Sequence, residues 1–409
     1  MQLYQDKILA KELQIGMYVS KLDCSWLDTP FPYQGFFIRS QREIDELKIF
    51  CQYVYIDSKQ GSAPYKQSEI SKPSPLLVKK SQLKKSQPAN KFRQSHVHIG
   101  KYQNKKKSFR HELKRANRLF TDLNTSIQNL SFSLRVGNKV DFKTTKKLAS
   151  DVVKSVLRSP DSLICLSRLK DKGGYTYSHS LRCCVLAAVF GRYLGLDKAN
   201  LLNLTTGVLL ADIGKTEIKA SLLNSHEKPT ISQKLEFQSH VERGVEMLAN
   251  KQEFEHDVLV IVETHHERYN GSGYPYSLTG DEIPYFGQIA GLIDVFDAIT
   301  NKKSYGEHYD TASAMDWIYQ QRDVLFSQEL VDDFIQAIGL YPAGTKVELT
   351  DKSIAIVVSH NQEKRLRPIV MLIKDKSNKE LKPPKTIDLS KKSFLSRQQR
   401  PMISRALVC

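Results

Sequence analysis

Six side chains carry the most obvious chemistry of this sequence: His179, Asp212, His240, His265, His266 and Asp294. From His179 through Asp212, His240 and His265 to Asp294 the intervals are 33, 28, 25 and 29 residues. Intervals of that size set one polar group on each successive helix or helix end. Imidazole with carboxylate suits borderline divalent ions such as iron, manganese, zinc or nickel. A carboxylate such as Asp212 can bridge two ions, and a pair about 4 Å apart can clamp an in-line displacement at phosphorus. Taken singly, each residue also has an ordinary structural reading. His179 can be a polar group near a helix start, and Asp212 can end a helix before Ile213–Gly214–Lys215.

The elements that must position these groups are helical. From Phe142 to about Tyr341 the apolar spacing predicts helices over Lys146–Leu157, Ser178–Leu194, Ala199–Leu210, Gln233–Leu248, Val258–His266 and Phe286–Thr300. The fold class is therefore mainly α, with an all-helical core over residues 142–341. Residues 1–60 predict a small α+β module, with strand-like LQIGMYVSKLD, GFFIRS and YVYID and a short helix over Arg42–Gln52. Residues 61–107, rich in Ser, Pro, Gln and Lys, predict a disordered linker. Over 108–141 the positions Leu113, Leu119, Phe120, Leu123, Ile127, Leu130 and Leu134 predict a connecting helix whose stretch Phe109–Leu134 offers a homodimer face. After Pro342, TKVELTDKSIAIVVSH and PIVMLIK alternate with period two and predict a β appendage over 342–373, followed by a basic flexible tail over 374–409.

Composition excludes several classes of protein. The 409 residues are 40% hydrophobic with a net charge of +17 and a mean hydropathy of −0.40, which fits a folded, water-soluble chain. The longest apolar run, Leu181–Leu196, is broken by Arg182 and Arg192, and the N-terminus has no signal-type run. No membrane span is expected, and six cysteines without a CxxC pair suit a reducing cytoplasm. The charge is local. Residues 62–107 hold eleven Lys and one Arg against Glu69 alone, and residues 359–409 hold thirteen Lys/Arg against four acids. The remainder nets −3, so the folded body is not basic. Lys79–Lys80, Lys84–Lys85 and Lys105–Lys107 have few aromatic neighbours (Tyr65, Phe92, Tyr102), so a solvated tether is expected and no specific nucleic-acid partner.

Five blocks occur in one order: YTYSHSLRCCVLA at 175–187, LLADIGKTEI at 209–218, SHVERGVEML at 239–248, ETHHERYNGSGYP at 263–275 and IAGLIDVFDAIT at 289–300. Together they closely resemble the HD-GYP family of cyclic di-GMP phosphodiesterases, a branch of the HD phosphohydrolases. The opening LQIGMYVSKLDCSWLDTPFPYQGFFI resembles the module of unknown function that often precedes such domains in bacteria. The resemblance implies two divalent ions, iron or manganese, with His179, Asp212 and Asp294 at one and Asp212, His240 and His265 at the other. His266 would serve the second or an additional ion. Lys215 would face the phosphate as a point charge, and water acidified by two cations would attack the phosphorus. The loop Gly271–Pro275 would bring Gly273, Tyr274 and Pro275 to the dinucleotide, with Lys303 gripping phosphate.

The sequence departs from that family pattern at three places. The name-giving His-Asp pair is here Ala211–Asp212, so one imidazole of the first ion's shell is a methyl group. The family's Arg-Pro-Tyr followed by Arg or Lys reads Lys303–Ser304–Tyr305–Gly306, which loses the bidentate fork of arginine. Tyr175 stands where some relatives carry a glutamate ligand for a third ion, favouring two ions over three. Two function classes follow. One is a metal-dependent phosphodiesterase of reduced activity; the other is an inactive cyclic di-GMP receptor or protein-interaction module.

Overall fold

The computed structural model describes residues 5–24, 29, 31, 35–38, 41–57, 109–136, 142–169, 175–223, 229–249, 254–301, 309–361, 364, 366–391 and 401–407. The expected linker over 61–107, as well as Lys303 and Gly306, lies outside these residues.

The N-terminal module is an antiparallel sheet of β1 (Gln5–Leu9), β2 (Tyr18–Leu22), β3 (Phe36–Phe37) and β4 (Tyr53–Asp57), in the order β1-β4-β2-β3. Helix α1 (Gln41–Phe50) supplies Ile44 and Leu47 to a core shared with Val19, Ile38, Val54 and Ile56. The alternation of YVYID is the alternation of that burial.

The helical body follows. It comprises α2 (Phe109–Arg135), α3 (Phe142–Arg158), α4 (Pro160–Leu169), α5 (Tyr175–Tyr193), α6 (Lys198–Leu210), α7 (Ala220–Leu223), α8 (Ile231–Gln238), α9 (His240–Ala249), α10 (His256–Thr264), α11 (Tyr285–Thr300), α12 (Thr311–Gln320) and α13 (Gln328–Ile338). Local chemistry marks the starts. Asp197 caps α6 by accepting from the Asn200 N–H at 2.8 Å, Asp310 caps α12, and Thr230 with Gln233 forms a capping box on α8. Helix α5 is buried from Ser178 to Gly191, which explains its nearly unbroken apolar sequence. Around it Phe190, Phe296 and Phe334 pack edge to face at centroid distances of 5.2–5.3 Å.

Helix α2 has a use within the chain, and two expectations need correcting. The apolar stripe of α2 is used within the chain: Phe120, Leu123 and Ile127 are buried in the main core, and Leu130 and Leu134 pack on a satellite cluster. These positions therefore belong to the core of this protein's own helical body, while Phe132 of the same helix is exposed. The helix expected over Gln233–Leu248 is two helices, broken at Ser239, whose hydroxyl bonds the Glu236 carbonyl at 2.6 Å. The flexible tail is partly folded. A five-stranded antiparallel sheet takes β5 (Lys346–Leu349), β6 (Ile354–Ser359) and β7 (Ile369–Lys374), then β8 (Glu380–Asp388) and β9 (Ile403–Leu407) from the tail, in the order β8-β7-β6-β5-β9. Among the described residues no helix is long and apolar enough to cross a membrane.

Candidate metal centre

Five segments of chain bring the six expected residues together. Helix α5 presents His179. Helix α6 ends on Ala211 and Asp212, from which a 3-10 turn over Ile213–Glu217 carries Lys215 back to Asp212, Nζ to Oδ2 at 2.7 Å. That turn lies flat on the start of α9, because a Cβ at Gly214 would collide with the His240 carbonyl. The break at Ser239 makes His240 the first residue of α9, and His265 and His266 follow the end of α10. Asp294 comes from the middle of α11.

Asp212 Oδ1, His240 Nε2 and His265 Nε2 form a triangle with sides of 3.4, 3.5 and 3.7 Å. The centre of such a triangle is about 2.0 Å from each corner, which is the distance a divalent ion keeps from imidazole nitrogen and carboxylate oxygen. Asp212 Oδ1 and His266 Nε2 are both buried without a hydrogen-bond partner. Buried polar atoms are nearly always paired, so two orphans among convergent acceptors mark a place suited to a cation. The outer ring nitrogens are occupied: His240 Nδ1 donates to the Phe237 carbonyl and His265 Nδ1 to the Val262 carbonyl at 2.9 Å. This fixes both Nε2 atoms as electron-pair donors. Burial and the Lys215 ammonium push His240 down to about 4, and burial and His265 hold His266 well below its usual value. These rings are neutral at physiological pH and ready to ligate. The donor set therefore fits a divalent ion.

The other half of the centre gathers around His179. Its Nε2 is 2.9 Å from Asp294 Oδ1 and 3.7 Å from Asp212 Oδ2, while Nδ1 is 2.7 Å from Asp297 Oδ2. Asp297 is in turn gripped by Arg182, through Nε at 2.8 Å and Nη2 at 3.0 Å. Burial opposes the change, yet Lys215 with the histidines holds Asp212, and His179 with His266 holds Asp294, well below the usual carboxylate range. Burial likewise fails to discharge Lys215, whose ammonium Asp212 and Asp294 keep above its ordinary value. Beside these groups lies a cavity of about 10 Å³ lined by His179, Cys183, Ala211, Asp212 and Asp294, among others. That is roughly room for one water-sized body. Ala211 thus forms one wall of the centre and contributes only a methyl group to it.

The Gly271–Pro275 loop folds against the same centre. A Cβ on Gly273 would strike the backbone of Glu267 and Arg268, and Gly271 has a φ of +80°. The Tyr274 ring stacks on His266, with centroids 4.7 Å apart. Glu267 anchors the loop's far side by accepting from the N–H groups of Tyr276 at 2.7 Å and Leu278 at 3.0 Å. The sequence reading gave no role to Asp297, Arg182, Glu267 or Cys183. One signal was present for the first two: Asp297 follows Asp294 by three residues and Arg182 follows His179 by three, so each pair shares a helix face.

Residues 164–330 match the family described as HD domain, residues 5–145 the domain of unknown function DUF3391, and residues 346–396 the KOW domain associated with HD domain. The chain carries an HD domain behind a DUF3391 module and resembles proteins of the HD-GYP type. Cyclic di-GMP phosphodiesterase PA4108 of Pseudomonas aeruginosa is 27% identical over 94% of this chain and 89% of its own length. The 3'3'-cGAMP-specific phosphodiesterase 2 of Vibrio cholerae is 33% identical over 41% of this chain and 31% of its own. Cyclic di-GMP phosphodiesterase response regulator RpfG of Xanthomonas campestris is 32% identical over 44% of this chain and 48% of its own. The similarity to the first relative thus runs over nearly the whole of both chains, and that to the other two over less than half of this one.

Proposed function

We propose that this HD-domain protein is a metal-dependent phosphodiesterase that hydrolyses cyclic di-GMP to the linear dinucleotide or to GMP. The observation that carries the proposal is the Asp212–His240–His265 triangle around an orphaned carboxylate oxygen, next to the Gly271–Pro275 loop. The full-length similarity to a named cyclic di-GMP phosphodiesterase supports the substrate. Asp212, His240 and His265 would hold one divalent ion, and His179, Asp212 and Asp294 a second, with His266 beside them; iron and manganese are the ions proposed. Such ions supply a Lewis acid for the phosphoryl oxygens and a more acidic attacking water.

The chain's own residues would do the rest. Asp297, held by Arg182, fixes the His179 ring. Lys215 keeps its charge and is already oriented by Asp212, so it can meet a phosphate oxygen without reorganisation. Tyr274 stays protonated, since burial raises its phenol, and it offers a donor and a ring face to the nucleotide. Gly273 and Pro275 shape that approach, and Lys303 would add a phosphate contact. In hydrolysis the oxygen of water joins phosphorus and the P–O3′ bond breaks, with O3′ leaving as a hydroxyl. Ala211 lowers the expected rate, because loss of a metal ligand costs at least about the 10–100-fold typical of losing an outer-shell partner. The compartment proposed is the cytoplasm, where Cys183 and Cys184 stay reduced.

Purified full-length protein supplied with manganese or ferrous iron should convert cyclic di-GMP to linear product. Asp212→Asn and a chelator should each remove at least about 99% of the rate. Parallel assays with 3'3'-cGAMP separate the two dinucleotides. Turnover no greater than that of Asp212→Asn would reject the enzyme reading.

A further inference from the structure

A second group of metal-ligating side chains converges in the N-terminal module. Asp23 and Cys24 directly follow β2, and Cys51 stands between α1 and β4. Strand β2 pairs with β4, Leu22 opposite Val54, so these two segments meet at one end of the sheet. The Cys24 and Cys51 sulfurs are 3.6 Å apart, Cys51 buried and Cys24 half-buried. Two sulfurs each about 2.3 Å from one tetrahedral ion are about 3.8 Å apart, so the pair stands close to the spacing of two thiolates on one ion. Asp23 is held beside them by the chain itself: its Oδ2 accepts from the Gln52 N–H at 2.9 Å and the Tyr53 N–H at 3.1 Å. Its Oδ1 is buried and has no hydrogen-bond partner among the described residues. This oxygen, or its twin, and the two sulfurs all lie within 4.8 Å of one another. A thiol pair poised only to form a disulfide accounts for the sulfurs but leaves the orphaned carboxylate oxygen without a reason; a cation accounts for both.

We propose that Asp23, Cys24 and Cys51 form a zinc site of the N-terminal module, which ties the end of β2 to the junction of α1 and β4. Two thiolates with one carboxylate suit zinc and are too soft for magnesium or manganese. Cys24 and Asp23 are only partly buried, which gives the ion a way in and leaves its fourth position to water. Binding releases the two thiol protons to solvent, and each sulfur gives an electron pair to the metal. The site shares no residue with the Asp212–His240–His265–His266 group and does not rest on the phosphodiesterase reading.

Cobalt(II) is the probe, because a thiolate ligand gives it a charge-transfer band in the near ultraviolet that nitrogen and oxygen ligands lack. The full chain carries Asp212→Asn to weaken the helical centre and is freed of metal with a chelator under reductant. One equivalent of cobalt should then produce the band, and zinc should displace it. Adding Cys24→Ser should remove the band. Adding Asp23→Asn instead, which keeps an acceptor for the Gln52 and Tyr53 N–H groups, should keep the band but weaken cobalt binding at least about tenfold. X-ray absorption on the zinc-loaded chain with both cysteines intact should show two sulfurs at about 2.3 Å, a reading that holds even if the serine variant fails to fold. No band in the reduced chain overturns the proposal, whether or not peroxide joins the two thiols. So does a band that survives Cys24→Ser, unchanged affinity in Asp23→Asn, or zinc bound without sulfur.

Discussion

Asp212 divides its two carboxylate oxygens between different neighbours: Oδ1 faces His240 and His265, and Oδ2 faces Lys215 and His179. One side chain thereby couples the two halves of the centre, and its charge faces one lysine and three imidazoles. The cost appears in His240, which burial and Lys215 push down to about 4. The sign follows from linkage. A histidine whose folded pKa is lowered takes up a proton on unfolding wherever the pH lies below the ordinary value of about 6.5. Stability of chelator-treated protein should then fall as pH drops from about 6.5 to 4, with this ring contributing up to about 1.4 kcal/mol per pH unit. Urea titrations of wild type and His240→Phe check it: the wild type should lose stability more steeply over that window. Equal slopes would show that His240 is not held neutral by the fold. That these histidines and aspartates meet was legible in the five blocks that carry them; their types and intervals alone were no more than suggestive. Glu267 was not, since its hold on the Tyr276 and Leu278 N–H groups exists only once the loop has folded back on it.

At the scale of elements, close approach does the positioning. Gly214 lets the turn after Asp212 lie on the first residue of α9, and Gly273 lets the loop lie on the backbone that follows His266. Gly273→Ala should push the loop off its seat while leaving the ligand triangle intact. The expected outcome is a rise in KM for cyclic di-GMP of about tenfold, worth about 1.4 kcal/mol, with metal content unchanged. Titration of metal together with steady-state kinetics checks it, and an unchanged KM would mean that the loop does not meet the nucleotide. The helices themselves were readable from apolar period and caps, as in Lys198–Leu210 behind its Asp197 cap. The break between α8 and α9 was not, because the spacing of Val241, Val245 and Leu248 continues that of the preceding helix and only the placed structure shows the Ser239 hydroxyl turned to the Glu236 carbonyl there.

Across the whole molecule, two small sheets attach to one helical core, and their joints differ. The N-terminal module meets the core through Tyr18 and Tyr319, whose hydroxyls are 3.4 Å apart. The C-terminal sheet is tied more firmly. Asp161 of α4 accepts from the Ser359 hydroxyl at 2.8 Å and from the His360 N–H at 3.2 Å, and its other oxygen is 2.9 Å from His360 Nδ1. Burial would raise this carboxyl, but His360 and Ser359 hold it below its usual value. Much of this sheet was legible as alternating strands up to Lys374. Strand β8 was not, because ELKPPKTID has little to bury; it lies at the sheet's edge, the place where prolines and exposed lysines are tolerated. The joint predicts that Asp161→Ala, which leaves the His360 and Ser359 donors unpaired, lowers stability by about 1–3 kcal/mol. Urea denaturation should show a lower midpoint with an unchanged slope, since the surface exposed on unfolding stays the same. The double variant with His360→Ala should cost less than the two single losses added together, because both act on one contact. Strict additivity would mean that the sheet is held by its apolar face alone, through residues such as Val347 and Ala343, and that the buried carboxylate is incidental to the joint.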